Sequence, residues 1–506
     1  MSASREKKQR QGSGPSEKVS QAQLEQAAYK KKVRTYTIIG IVVVVLVAAL
    51  LIWNSGVFQR RATAATVGGH KLSTSELSYF YSDARYLYAV YGILDSSKAD
   101  DEQYYNEEEG ITYRDYFLET ALDNAKNTLA LYDAAVSAGY SVADVQENLD
   151  AQIASAKNAA SSNGYSYESY IRAIYGRYTT TAAFEKLLAY SMVANLYGSD
   201  IRQDTSDGFT SQELEDYYAE HTDEVDTFTY SYLYFKADSV GATDGDGNER
   251  TEEEIKELKA EAMEAAKAKA EEALALYQSG TDLAELIEQS APTSSGDHSK
   301  ATGTEAISSI YRDALLALDE DEGTVAENEG NGWYVIVYHG RERNEELSAA
   351  IRSIFVAAET TKDADGKVVA PTAKAWAAAE EKANELLEKY NSGEKTAESF
   401  GELATENGMS SGGLSTGLTS ASTSLGEARL AWLFEEARQP GDTTVTRFES
   451  DSNYGCYVTY FQEWEEAVWM QTVRSSLTSA AMEAWLDGIT ESYDTALAGG
   501  AGSIGT

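Results

Sequence analysis

Gly413-Leu-Ser415-Thr-Gly417 has the Gly-x-Ser-x-Gly spacing of a nucleophile elbow, a sharp turn that presents a serine for attack. Serine chemistry of that kind needs an imidazole later in the chain. The four histidines are His70, His221, His298 and His339, and none follows Ser415. They lie far apart in sequence and form no HExxH-type pair. The single cysteine, Cys456, excludes an internal disulfide framework and any multi-cysteine zinc or iron–sulfur site. Gly500-Ala-Gly502-Ser-Ile-Gly505 matches GxGxxG, but no helix follows to bind a pyrophosphate. Asp244-Gly-Asp-Gly-Asn248 and Asp363-Ala-Asp-Gly366 contain fragments of a calcium loop without its sixth-position glycine or closing glutamate. Solvated turns are the simpler reading. No cofactor and no metal site is expected.

The elements around these residues are those of a long, acidic chain. Its 506 residues suffice for several cores, and 42% hydrophobic content is too high for wholesale disorder. Asp and Glu number 82 against 42 Lys and Arg, a net charge of −40. Phosphate binding needs a basic face, so nucleic acid is not the expected partner. The charge is uneven. Residues 1–61 carry 11 basic and 3 acidic residues, whereas 62–506 carry 31 and 79.

The boundary between them is Thr35 to Trp53, 19 residues without a charge. As a helix this stretch would be roughly 28 Å long, enough to cross a hydrocarbon core. Tyr36 and Trp53 sit at its ends, and Lys30-Lys31-Lys32-Val33-Arg34 precedes it. The basic flank favours a cytoplasmic N-terminus and an acidic body outside; with no outward disulfide and a short cytosolic tail, the expected home is a Gram-positive-type envelope. A cleaved signal peptide is the alternative. The expectation is a basic cytosolic tail over 1–34 and a signal anchor over 35–58.

Residues 62–225 read as a small hairpin followed by helices. Ser73 or Thr74 caps the first, with Glu76 in its first turn. Leu77, Phe80, Tyr81, Ala84 and Leu87 keep helical spacing. Tyrosine is abundant, 34 in the chain. Such rings can pack with hydroxyls outward or form an adaptable peptide-binding surface. Beyond 225 a repeat appears. Each copy has an alternating strand, an Asp-Gly loop, a long helix, a short apolar helix and a closing strand. The strands begin near Thr227 and Ile351 and close near Gly332 and Gly455. Matching points lie 121 residues apart at Tyr232 and Ser353, and 123 apart at Gly332 and Gly455. Residues 466–497 read as an amphipathic helix and 498–506 as a loose glycine-rich tail.

Val67-Gly-Gly-His-Lys-Leu-Ser, Thr210-Ser-Gln-Glu-Leu-Glu-Asp-Tyr-Tyr and this repeat together resemble the SurA/PrsA/PpiD group of membrane-associated foldases. The resemblance covers roughly 65–495 and lies mainly in the order of the motifs. It implies a helical chaperone domain with parvulin-type peptidyl-prolyl isomerase domains. Parvulin strands of the form Arg-His-Ile-Leu-Val and Gly-Tyr-His-Ile-Ile place two histidines in the floor of the active site. Tyr232 and Tyr334 stand at those positions in the first copy, Ser353 and Tyr457 in the second. The second copy keeps Arg352, Phe400-Gly-Glu-Leu-Ala, Gly412-Gly-Leu and Pro440-Gly441-Asp442.

The fold class expected is therefore α+β multidomain: a single transmembrane helix, a helical chaperone domain (62–225), tandem parvulin-like α+β domains (226–343 and 344–465), and a C-terminal helix (466–497) packing back on the helical domain. The function implied is a membrane-anchored extracytoplasmic chaperone of unfolded or nascent secreted polypeptides, its parvulin-like domains without catalysis. An isomerase acting through the second copy and a non-enzymatic envelope scaffold are the alternatives. Peptide-binding candidates are Leu316, Phe400, Trp432 and Phe434. The acidic body would suit cation-rich clients.

Overall fold

A computed structural model describes residue 37, residues 41–47 and residues 56–506 apart from 245, 436, 437 and 451. The chain is an α+β protein of two compact units. One holds residues up to Asp204 together with Ala481–Thr506, the other Thr205–Ala480.

No helix among the described residues is long and apolar enough to cross a membrane. This corrects the expected single transmembrane helix. Residues 41–47 are helical. Gly56, at φ 70°, caps a short helix, Val57–Arg61. The rest of the expected span and the tail 1–34 lie outside the described residues.

In the first unit, Thr63–Val67 and His70–Ser73 pair antiparallel, and a third strand, Thr495–Leu497, adds to the edge through Ala65 opposite Leu497. Ser73 caps the helix Thr74–Val90 through a reciprocal box with Glu76. Leu77, Phe80 and Tyr81 on that helix bury against Phe117, Leu118 and Ala121 of the helix Tyr113–Ser137. The apolar stripe continues to Leu87, but the core does not. Leu87 is 57% exposed, alongside Tyr86, Val90, Tyr91 and Ile93.

The tail corrects a second expectation. Gly499–Ser503 forms a 3-10 turn, Ala501 and Ile504 are buried, and Arg114 donates to their carbonyl oxygens at 2.9 and 2.7 Å. Glycine here serves contact and not looseness. A Cβ on Gly500 would lie 2.6 Å from the Thr74 hydroxyl and 2.8 Å from the Thr63 carbonyl oxygen.

The second unit contains two four-stranded antiparallel sheets of one topology. The first runs Ser294–Thr302, Thr227–Lys236, Gly332–Glu342, Gly323–Asn328; the second runs Leu414–Leu418, Leu347–Ala357, Tyr454–Ala467, Thr443–Glu449. Each sheet lays one face on a long alanine-rich helix. Ala270 and Ala273 of Glu252–Gln278 meet Leu233, Phe235 and Val335. Ala379 and Ala383 of Ala373–Asn391 meet Ile354, Cys456 and Val458. Small residues let these helices approach closely, and strand alternation sends the neighbouring side chains to the opposite face. The C-terminal helix is Val468–Thr490. Its Trp469 and Val473 pack with Leu214 and Val225 in the second unit.

Candidate functional site

The opposite faces carry the positions that matter. Tyr232 pairs with Ile336, and Tyr234 with Tyr334; Ser353 pairs with Thr459, and Phe355 with Tyr457. Tyr232 and Tyr334 are therefore diagonal neighbours, and so are Ser353 and Tyr457, in the same register.

Tyrosine fills the first face. The Tyr232 and Tyr334 rings lie 6.1 Å apart. Tyr311, at the start of the helix Arg312–Leu316, lies 5.1 Å from Tyr334 and 6.4 Å from Tyr232. Burial pushes the Tyr311 hydroxyl up, helped by Tyr230, and burial also raises Tyr334, beside Tyr234. Protonated phenols can hold an extended chain by ring contact and hydrogen bonds. They cannot take up a proton at neutral pH.

Two histidines do meet in this sheet, but behind Tyr232. His298 and His339, separated in sequence, stack at 4.4 Å. Each falls in a β-bulge flanking Ser231, one between Tyr230 and Tyr232 against Ser294–Thr302, the other at Thr229 and Tyr230 against Gly332–Glu342. His339 Nε2 lies 2.8 Å from Ser231 Oγ, and the His298 amide donates to the same oxygen at 2.9 Å. Asp297 Oδ1 lies 2.5 Å from His298 Nδ1, and Asp321 lies 3.6 Å from His339 Nδ1. The contacts have the order serine, histidine, aspartate. Ser231 is fully buried, so no substrate reaches it and the cluster is a fastening. Nothing in the sequence spacing announces it, because a bulge re-aims a side chain without a periodic signature.

The second face is built differently. Arg429, on the helix Glu427–Leu433, is 6% exposed. Its Nη1 donates to Ser353 Oγ at 3.3 Å and its Nε to the Leu425 carbonyl at 3.1 Å. Its guanidinium covers the Tyr457 ring. Burial lowers its pKa, and Tyr457 opposes that shift. Among the described residues no carboxylate forms an ion pair with it. Phe355 and Phe448 flank Tyr457 at 4.7 and 5.3 Å. Arg352 is spent on structure, donating to Gln462 and to the Gly412 carbonyl. Gly413, at φ 68°, lies where a Cβ would be 2.2 Å from the Ser353 carbonyl oxygen, so the loop can close on the strand only without a side chain.

The peptide-binding candidates separate. Leu316 is 43% exposed. Trp432 is half-buried beneath the Arg438 guanidinium at 4.1 Å, and Phe434 is half-buried 5.8 Å from Trp464. Phe400 corrects the expectation. It is fully buried between Tyr390 and Tyr460, on the face under the long helix, and no peptide reaches it.

A groove that the sequence reading missed lies in the first unit. It has a volume of about 600 Å³. Tyr86, Val90 and Ile174 give it an apolar floor, with Arg85, Lys98 and Arg177 along it. The signal was present. The apolar stripe on Thr74–Val90 ends in Leu87, which stays exposed.

No family model matches the chain, and no curated protein matches it. Among solved structures it is similar to peptidylprolyl isomerase PrsA from Bacillus anthracis, at 11% identity over 42% of this chain and 77% of that one, with a TM-score of 0.18. It is similar to foldase protein PrsA from Streptococcus pneumoniae at 15% identity, over 44% of this chain and 68% of the other, TM-score 0.17. The Bacillus cereus PrsA peptidylprolyl isomerase stands at 14% identity, 46% and 73% coverage and a TM-score of 0.19.

Proposed function

We propose that the protein is an extracytoplasmic chaperone of unfolded polypeptides, whose regions 226–343 and 344–465 are parvulin-like domains that grip extended chain without catalysing prolyl rotation. The observation that carries the reading is unburied apolar surface. Tyr86, Leu87, Val90, Tyr91 and Ile93 stand exposed together on and just after one helix, and soluble chains keep such a patch for a partner. The sheet faces add to it. Rotation about a prolyl bond has a barrier of about 20 kcal/mol. The paired imidazoles that the resemblance places in the floor are tyrosine in one copy and a serine bound to Arg429 with a covered tyrosine in the other. Those faces offer rings and hydrogen bonds to a held segment.

Two assays test this with the full chain. It should suppress aggregation of a denatured client at stoichiometric amounts. Substoichiometric amounts should leave the rate of a proline-limited refolding reaction unchanged. Faster refolding would make it an isomerase, and no suppression would remove the chaperone reading.

A further inference from the structure

The groove beside the helix Thr74–Val90 has a charge opposite to that of the chain around it. Its lining holds three cations, Arg85, Lys98 and Arg177, and one acidic side chain, Asp100, in a protein of net charge −40. Asp100 is already committed. It accepts from the Tyr81 hydroxyl at 2.6 Å and from Arg85 Nε at 2.9 Å. Lys98 has a loose partner, Asp95, at 3.7 Å. Arg177 is exposed. It lies over the Tyr178 ring at 4.6 Å and donates to that hydroxyl, and among the described residues no carboxylate pairs with it. A guanidinium so placed, over a ring at the edge of an apolar floor, has donors free for a planar anion.

Resting on the chaperone reading, we infer that this groove takes an extended apolar segment of a client that carries an aspartate or glutamate. The floor buries apolar side chains and Arg177, aided by Lys98, receives the carboxylate. Charge complementarity selects this occupant over two others. Residues 1–34 of the chain itself are strongly basic and share the sign of the groove. A basic client segment is drawn to the acidic body as a whole but is repelled here, so the local field sets a preference that the net charge would not.

The test is fluorescence anisotropy with the full chain and three labelled peptides, an apolar and aromatic dodecamer with a central aspartate, asparagine or lysine. The aspartate peptide should bind about tenfold more tightly than the asparagine peptide, the scale of one charge-assisted pair. The lysine peptide should bind more weakly still. Arg177→Glu should abolish or reverse this ranking, whereas Lys256→Glu, the same charge change on an exposed helix elsewhere, should leave it. Val90→Asp should weaken all three peptides. Equal binding of the three peptides, or a ranking untouched by Arg177→Glu, overturns the inference. Dimerisation lost on Arg177→Glu, with no peptide bound, overturns it in favour of a second copy as occupant. Aggregation suppression by the same protein separates the two levels. Suppression with an unranked peptide set sinks the groove assignment alone, and absence of suppression sinks the chaperone reading with it.

Discussion

The guanidinium carbon of Arg429 lies 3.7 Å from the centroid of the Tyr457 ring. Because Arg429 is almost wholly buried, its charge is sustained by that ring, the Ser353 hydroxyl and the Leu425 carbonyl in place of water. Tyr457→Ala removes the ring from beneath a desolvated cation and should cost about 2 kcal/mol. In an Arg429→Met background the cation is gone, and the same change should cost about 1 kcal/mol less. Urea unfolding of the four proteins measures this coupling. Strictly additive losses would mean that the stack contributes nothing.

Ser231 makes a second prediction. Its hydroxyl serves the His298 amide, His339 Nε2 and Asp297 at once, in a fully buried place. Ser231→Ala leaves the His298 amide and the half-buried His339 ring nitrogen without this partner, so about 1 kcal/mol should be lost. An alanine variant as stable as the parent would show that the two bulges hold themselves.

The tandem sheets were legible because strands alternate. Phe228, Tyr230, Tyr232 and Tyr234 against Leu233 and Phe235 mark the two faces of one strand by their odd and even spacing alone, and the same pattern recurs at the offset of the second copy. The His298–His339 stack was not legible, because it depends on two bulges that interrupt that alternation. Phe400 misled because an apolar residue in a family-like motif reads the same whether it faces a ligand or a helix. The groove was half legible. The stripe on Thr74–Val90 was visible, but that Ala84 meets the core while Leu87 stays exposed is a property of what packs against it. The four histidines likewise gave no distances, only separations along the chain.

Gly500 tests the ordered tail. Gly500→Ala drives a methyl into the Thr63 carbonyl and the Thr74 hydroxyl, and overlap of that size should cost about 1 to 3 kcal/mol. The segment should then detach, exposing Ala501 and Ile504 and freeing Arg114 from their carbonyls. Limited proteolysis should cut near 498 in the variant while the parent resists. Equal resistance would mean that the tail shifts without letting go.

Glu76 makes stability depend on pH with a definite sign. Burial alone would raise its pKa, but the Lys186 ammonium at 2.8 Å and the Ser73 amide and hydroxyl bind its carboxylate and hold it below the ordinary value. A depressed carboxyl contributes stability above its unfolded pKa and loses it as pH falls through the folded one. Glu76→Gln keeps the size but removes the charge that Lys186 and the cap exploit. At pH 7 the variant should melt at a lower temperature than the parent. The gap should stay constant down to the ordinary carboxylate range and then close as pH falls further, since both proteins are then neutral at this position. Thermal melts of the pair between pH 7 and pH 3 decide it. A gap that persists at the acid end would assign the effect to shape at the cap instead of to charge.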